Sequence, residues 1–178
     1  MEKNEYILFL ARIVPEKGAH YLIDAYKNLA TDKKLVIAGG SSHSVQYFEE
    51  LKQRAEDNKN IIFTDFVGGR TLEELYSNAY VFVLPSDIEG MAIGLLEAMS
   101  YGNCCLVSDI PENVEVITDK GVVFKHSNVD SLTLELNKLL EHPEVVEKYQ
   151  SSSAEYICEK YSWEKAVDET LKVYQNDR

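Results

Sequence analysis

Four charged side chains are of types that could do chemistry: the cations Arg12 and Lys17 and the carboxylates Glu89 and Glu97. The first two lie in a loop after an apolar run, where Arg12 can bind two phosphate oxygens with its forked guanidinium and Lys17 can add a point charge. Glu97 lies in a predominantly apolar stretch, so we expect it to have a partner, because burial of an unpaired carboxylate is costly. The elements that carry these residues must bring them together.

Both carboxylates lie in the stretch from Ala79 to Asp109. Its apolar run Tyr80–Leu84 ends at Pro85 and predicts a strand covered on both faces. The loop 86–90 follows at the carboxyl edge of that strand, which is where ligands bind in open α/β sheets. Gly90 allows a close approach of the backbone, and the amides after it open a helix whose N-terminus attracts anions.

The rest of the chain alternates apolar runs with amphipathic stretches. The predicted strands are Tyr6–Ala11, Leu35–Ala38, Ile61–Phe63, Tyr80–Leu84, Cys104–Ser108 and Gly121–Phe124. Helices are predicted to begin at Ala19, at a capping box of Thr71 with Glu74, and at Pro143. Two more are predicted from about His43 to Asp57 and from Trp163 to Tyr174, the latter with Ser162 as cap. The segment Asp109–Asn113 is predicted as a loop. This order predicts a doubly wound, parallel, six-stranded Rossmann-like sheet in one domain, 1–178, with a helical C-terminal tail.

Charge and cysteine content exclude several classes of protein. The net charge is −12, from 18 basic and 30 acidic residues, which argues against nucleic acid or an anionic membrane as a partner. Three cysteines, two of them adjacent at Cys104 and Cys105, do not make a disulfide framework and favour a cytoplasmic location. No apolar run is long enough for a membrane span, although a peripheral contact with the inner face of a membrane stays open for the full-length protein.

Three segments carry a resemblance to a known family. They are Glu89–Gly102 preceded by Leu84-Pro85-Ser86, then Ala11–Gly18, and finally Ser162-Trp163-Glu164 followed by Val173-Tyr174. The first resembles the E-x7-E signature of retaining GT-B glycosyltransferases, and the set is most similar to family 4. The second resembles the Arg-and-Lys loop of the C-terminal, donor-binding domain, and the third its usual ending. The similarity extends over nearly the whole chain.

The resemblance implies a nucleotide-diphosphate sugar as donor substrate, with UDP- or GDP-sugars expected first. Arg12, Lys17 and Glu89 would be the catalytic residues: the two cations would stabilise the leaving diphosphate, and Glu89 would face the donor sugar. No bound cofactor is expected. No metal is expected either, since the sequence shows no His/Asp cluster with the spacing of metal ligands.

The same resemblance assigns the residues that bind the donor. Glu97 would accept hydrogen bonds from both ribose hydroxyls. The amides of Gly90, Met91 and Ala92 would line the sugar and phosphate, Phe66 and Val67 would meet the base, and Gly39 and Gly40 would leave room beside it. Asp65 and Ala92 stand where the family often has glycine, which leaves the base pocket and the sugar-phosphate contact open to question.

A GT-B enzyme has two such domains, so the resemblance implies that an N-terminal half is absent from this chain. An acceptor saccharide or lipid would reach the donor through that half. We expect the 178 residues alone to bind donor weakly and to transfer no sugar.

Several alternatives stay open at this stage. The chain could be a non-catalytic nucleotide or sugar-nucleotide binding module; a receiver-type signalling domain is disfavoured, because Arg12 and Ile13 follow the first strand where an acidic pair would be needed. Lys17 could be a solvated surface residue, Arg12 could pair with Glu16, and Phe66 could belong to the core.

Overall fold

A single parallel sheet forms the centre of the molecule. The computed structural model describes residues 2–40, 45–56 and 58–176. The strands are β1 Tyr6–Leu10, β2 Lys34–Ala38, β3 Ile61–Phe63, β4 Val81–Leu84, β5 Cys105–Ser108 and β6 Val122–Phe124. All neighbouring strands pair in parallel, in the order β3-β2-β1-β4-β5-β6. The chain therefore winds outward from β1 to β3, returns to the centre at β4, and winds outward again in the other direction.

Helices cover both faces of the sheet. They are α1 Ala19–Lys27, α2 Val45–Ala55, α3 Gly69–Asn78, α4 Ile93–Ser100, α5 Pro111–Ile117, α6 Val129–Glu141, α7 Pro143–Lys160 and α8 Trp163–Asn176, with a 3₁₀ turn at Pro15–Lys17. One core lies between the sheet and α1, α2 and α6, and the other between the sheet and α3, α4 and α5; α7 contributes to both, with Val146 in the first and Ile157 in the second. Successive residues of β1 alternate between the two cores, with Ile7 and Phe9 in the first and Tyr6 and Leu8 in the second. This explains why the central strands are continuously apolar.

The predicted fold class is confirmed: the sheet is doubly wound, parallel, six-stranded and Rossmann-like. Every predicted strand is present, with ends that differ by at most one residue. The predicted start of α7 at Pro143 and the cap of α8 are also confirmed, since Ser162 Oγ accepts a hydrogen bond from the Lys165 backbone N–H at 3.2 Å. The predicted ends of the second helix, His43 and Asp57, lie outside the described residues.

Two local predictions are wrong. The capping box does not form, because α3 begins at Gly69 with Gly68 as cap, and Thr71 already lies inside the first turn. The predicted loop Asp109–Asn113 is in large part helix: α5 begins at Pro111, whose fixed φ suits the first helical position and whose missing N–H is not needed there. No helix in the described ranges combines the length and the apolar character that a bilayer crossing requires.

Candidate functional site

A cleft of about 420 Å³ opens at the carboxyl ends of the strands, beside the neighbouring strands β1 and β4. The chain leaves these two strands in opposite directions, which creates the crevice where doubly wound sheets bind ligands. The lining residues are Leu10, Ala11, Arg12, Lys17, Gly39, Gly40, Phe66, Val67, Tyr76, Leu84, Glu89, Met91, Ala92, Ile93, Gly94 and Glu97. All four charged residues predicted from the sequence are therefore brought to one cleft.

Lys17 and Glu89 form an ion pair across the two halves of the sheet. Lys17 Nζ lies 2.6 Å from Glu89 Oε2, and only 15% and 4% of the two side chains are exposed. The other oxygen, Oε1, accepts a hydrogen bond from the Ser86 hydroxyl at 2.7 Å. Lys17 is thus not a solvated surface lysine, and each carboxylate oxygen of Glu89 has a donor, as a buried carboxylate requires.

The close approach of Lys17 to Glu89 depends on Gly18. This glycine has φ +71°, and a Cβ there would lie 2.0 Å from the carbonyl oxygen of Pro85. The loop after β1 therefore rests directly on the backbone that leads from β4 into the Glu89 loop. The Asp87 backbone N–H donates to the carbonyl of Glu16 at 2.9 Å and holds the two loops together.

Arg12 follows β1 directly and is exposed at the cleft. In the part of the chain that the structure describes it forms no ion pair, so the alternative of a pair with Glu16 is not what the structure contains. Its position is set by the backbone, since the next N–H, of Ile13, donates to the carbonyl of Gly40 at 3.1 Å. A guanidinium placed this way can meet an anion that enters the cleft.

Glu97 differs from the expectation of a buried carboxylate, because its residue is exposed. It does have a partner: Tyr76 donates its hydroxyl to Glu97 Oε2 at 3.1 Å. Tyr76 itself is buried, with 1% exposed, and its ring stacks on Tyr101 at 5.4 Å between centroids. Burial, followed by the nearby negative charge of Glu97, raises the pKa of Tyr76 well above its ordinary value. The hydroxyl therefore stays protonated and remains a donor to Glu97.

The two adjacent glycines at the cleft have different structural roles. Gly39 has φ +153°, and a Cβ there would lie 1.8 Å from the carbonyl oxygen of Ala11, so only glycine fits. Its N–H donates to the carbonyl of Asp65 at 3.0 Å. Asp65 adopts a left-handed conformation with φ 55°, which explains how a position often held by glycine tolerates aspartate. Gly40 has room for a methyl group, with Phe66 Cβ at 3.5 Å.

The proposed base-contacting residues lie on the outer side of the cleft. Phe66 lines it and is 82% exposed, so it does not belong to the core. Val67 also lines the cleft and packs against the core beneath it. Met91 and Ile93 add exposed apolar surface, with 64% and 61% exposed. This side of the cleft offers apolar faces that a planar ring can cover.

The backbone before α4 places two of the three predicted amides at the cleft. Met91 and Ala92 line it, whereas Gly90 is not among the lining residues. A Cβ at Gly90 would meet open space and its φ lies outside the left-handed region, so the close approach of the backbone predicted there is not found among the described residues. Among the described residues, the amides of Met91, Ala92 and Gly94 donate to no backbone carbonyl. These donors are therefore available to an anion at the helix start.

Sequence reasoning missed several residues of this site. Tyr76 shares the apolar spacing of α3 and was expected only within a short helix. The sequence also assigns no role to the buried polar residues Ser86, Ser108 and Asn113, and Ser86 appears only within the segment Leu84-Pro85-Ser86. A serine directly after the strand-ending Pro85 was the available signal for the first of them. In residues 2–40, 45–56 and 58–176, no group of three or more His, Cys, Asp or Glu side chains is arranged to hold a metal ion.

Comparison with known proteins yields a family and a fold. The family model for "Glycosyl transferases group 1" matches residues 1–156. An uncharacterized glycosyltransferase of Methanocaldococcus jannaschii is 33% identical over 178 residues, which are 98% of this chain and 45% of the relative. The alpha-maltose-1-phosphate synthase of Mycolicibacterium smegmatis is 28% identical, over 95% of this chain and 47% of its own length. The chain thus spans about half the length of these relatives.

A solved structure agrees with the fold. The crystal structure of Anabaena HepE in complex with UDP-glucose superposes with a TM-score of 0.86 at 19% identity, over 96% of this chain and 49% of that one. At this level of identity the likeness establishes the arrangement of strands and helices.

Proposed function

The chain belongs to the glycosyl transferases of group 1, and from that premise we propose that it is the donor-binding C-terminal half of a retaining GT-B glycosyltransferase of family 4. The full-length enzyme transfers a hexose from a nucleotide-diphosphate sugar to an acceptor. The observation that carries the proposal is the convergence of Arg12, Lys17, Glu89 and Glu97 on one cleft at the carboxyl edge of the sheet.

The two cations suit the departure of a diphosphate. When the bond between the anomeric carbon and the phosphate oxygen breaks, the bond electrons stay with the diphosphate and its negative charge increases. Arg12 and Lys17 stabilise that charge, Lys17 from the position that its ion pair with Glu89 sets, which lowers the barrier without metal assistance. The amides of Met91 and Ala92 add donors on the same side of the cleft.

The remaining residues divide the rest of the donor between them. Glu97 accepts hydrogen bonds from the ribose diol, and Glu89 accepts them from hydroxyls of the donor sugar. Phe66 and Val67 meet the base, beside the backbone of Gly39 and Gly40. The exposure of Phe66 supports this role, since a base that stacks on it removes apolar surface from water. The UDP-glucose bound to Anabaena HepE supports UDP-sugars as the first donors to test, ahead of GDP-sugars.

The length of the relatives supports a second half beyond this chain. In the proposal that half is the N-terminal GT-B domain, and it presents the saccharide or lipid acceptor. The 178 residues alone then bind donor weakly and transfer no sugar. We further propose a cytoplasmic location, which three free cysteines support.

A thermal-shift panel of UDP, GDP and ADP with their sugar conjugates tests the proposal, because a ligand that binds the folded state raises the melting temperature. We expect a rise with at least one nucleotide and its sugar conjugate. Lys17→Ala and Glu97→Ala should reduce that rise. Lys27→Ala is a matched control, since Lys27 also forms an ion pair, with Glu56 at 2.8 Å, away from the cleft.

The absence of any shift with all six ligands would contradict the proposal. Binding that persists without sugar transfer after the N-terminal half is supplied would instead support the non-catalytic module. A non-catalytic module would bind nucleotide in the same cleft, so the variants would weaken its binding in the same way. Only the transfer assay distinguishes it from the enzyme.

A further inference from the structure

Three fully buried polar side chains lie behind the cleft, where an apolar core would be expected. Ser86 follows β4, Ser108 ends β5 and Asn113 lies in α5, and each is 0% exposed. They are hydrogen-bonded in series: Asn113 Nδ2 donates to Ser108 Oγ at 3.0 Å, and Ser108 Oγ donates to the Ser86 carbonyl at 2.5 Å. The side chains of Asn113 and Ser108 therefore connect α5 and β5 to the backbone of Ser86, directly after β4.

The series ends at the cleft. The Ser86 hydroxyl donates to Glu89 Oε1 at 2.7 Å, and Glu89 Oε2 holds Lys17 at 2.6 Å. Ser86 is thus fixed at its carbonyl by Ser108 and in turn fixes the carboxylate of Glu89. Hydrogen bonds thus lead from α5 to the Ser86 backbone, and from the Ser86 side chain through Glu89 to Lys17, a cation of the proposed phosphate site.

Stability of the fold does not account for this arrangement. Buried polar groups favour folding only when they are satisfied, and apolar residues of similar shape would serve as well at these positions. Here Asn113 Oδ1 is left without a hydrogen-bond partner in the described residues. The geometric result of the network is that it fixes Ser86 and, through the Ser86 hydroxyl, the carboxylate of Glu89.

We propose that Ser86, supported by Ser108 and Asn113, is a positioning residue that holds Glu89 in the orientation that recognises the donor sugar. This inference rests on the proposed function, in which Glu89 faces the sugar while Arg12 and Lys17 face the diphosphate. Without the Ser86 hydroxyl, Glu89 loses its only donor on Oε1 among the described residues and can rotate about its side-chain bonds. Recognition of the sugar weakens, and recognition of the diphosphate remains.

The test measures dissociation constants for UDP and UDP-glucose, with GDP and GDP-mannose in parallel, on the 178-residue chain. In Ser86→Ala the preference for the sugar conjugate over the plain nucleotide should fall about tenfold, as expected for a hydrogen bond to a charged group. Ser108→Ala should shift the preference in the same direction by a smaller factor. Ser153→Ala is the matched control, because Ser153 is fully buried and its hydroxyl has no partner in the described residues.

The preference distinguishes positioning from a general loss of structure. If Ser86 has only a structural role, Ser86→Ala should lower the affinity for the nucleotide and for its sugar conjugate equally. If its hydroxyl has no role, neither affinity should change. In both cases the ratio of the two affinities stays the same, which overturns the inference while the proposed function stands. A second arm needs no nucleotide: Ser86→Ala and Glu89→Gln should lower the urea midpoint by less together than the sum of their separate effects. If the two changes in urea midpoint are additive, the inference is overturned even when no nucleotide binds. If they are not additive and no nucleotide binds, Ser86 still positions Glu89, but the proposed function is refuted.

Discussion

The two carboxylates of one motif lie in opposite environments. Glu89 belongs to a buried wall of the cleft, formed with Lys17 and Ser86, where its side chain is 4% exposed and has two donors. Glu97 belongs to an open wall, formed with Phe66, Met91 and Ile93, where it is exposed and held by one tyrosine hydroxyl. The sequence gives no hint of this difference, since both residues are glutamates eight positions apart.

The two walls of the cleft differ in how much of their structure is set before a ligand binds. In the buried wall every charged group already has a protein partner, so its geometry is set before a substrate arrives. In the open wall the apolar faces meet water, so the gain from covering them comes only on binding. We expect the buried wall to determine stability and orientation and the open wall to determine affinity.

The largest effect is predicted for a methyl group added to the buried wall. Gly18→Ala places a Cβ 2.0 Å from the Pro85 carbonyl oxygen in a left-handed backbone, and we expect a loss of about 4 kcal/mol in the free energy of unfolding. Gly40→Ala, beside Phe66 in the open wall, should change it by less than about 1 kcal/mol. Urea denaturation of both variants is the measurement. Equal losses would show that the two walls do not differ in packing.

Removal of the two carboxylates gives the next largest contrast. Glu89→Ala leaves the Lys17 ammonium without its partner in a site that is 15% exposed, and we expect a loss of about 3 kcal/mol in unfolding free energy. Glu97→Ala should lose less, about 1 kcal/mol or below, because the residue is exposed and gives up one hydrogen bond from Tyr76. If the double variant Lys17→Met/Glu89→Met is as unstable as Glu89→Ala, the loss does not come from an unpaired charge.

The sequence was sufficient to predict the fold and the meeting of four charged residues at one cleft, because short continuous apolar runs bounded by turn residues favour buried strands, whose carboxyl ends share one edge of the sheet. It was not sufficient for details that depend on contacts between distant segments. Thr71 with Glu74 has the spacing of a capping box, yet the N-cap of α3 is Gly68, three residues earlier. The burial of Glu89 depends on Lys17 from another loop, and the exposure of Glu97 depends on how α4 leaves the sheet.

Phe66 tests the open wall directly. Phe66→Ala should leave the free energy of unfolding almost unchanged, since 82% of the residue is exposed. Binding of UDP or GDP should weaken by about tenfold, because stacking of a base on an aromatic ring contributes roughly 1–3 kcal/mol. Phe63→Ala is the control, since Phe63 packs edge-on against Phe48 at 5.7 Å and should lose stability instead. An unaltered affinity for every nucleotide would remove Phe66 from the base site.

The smallest predicted effect concerns Tyr76, a buried residue whose hydroxyl donates a hydrogen bond to exposed Glu97. Its pKa is raised in the folded state by burial and by Glu97, whereas an unfolded tyrosine titrates near pH 10. Above pH 10 the unfolded chain therefore binds fewer protons than the folded chain, and stability falls as pH rises, by about 1.4 kcal/mol per pH unit for each such group. Tyr6 and Tyr47, with the pKa raised to about 12 in each, contribute in the same direction, and both remain in the Tyr76→Phe variant.

Urea denaturation between pH 9 and pH 11 measures this effect. The free energy of unfolding should fall less steeply with pH for Tyr76→Phe than for the unmodified chain, and the two curves should be parallel near pH 9. Parallel curves throughout would mean that Tyr76 loses its proton in the folded chain as easily as in the unfolded one, and would leave Glu97 without its permanent donor.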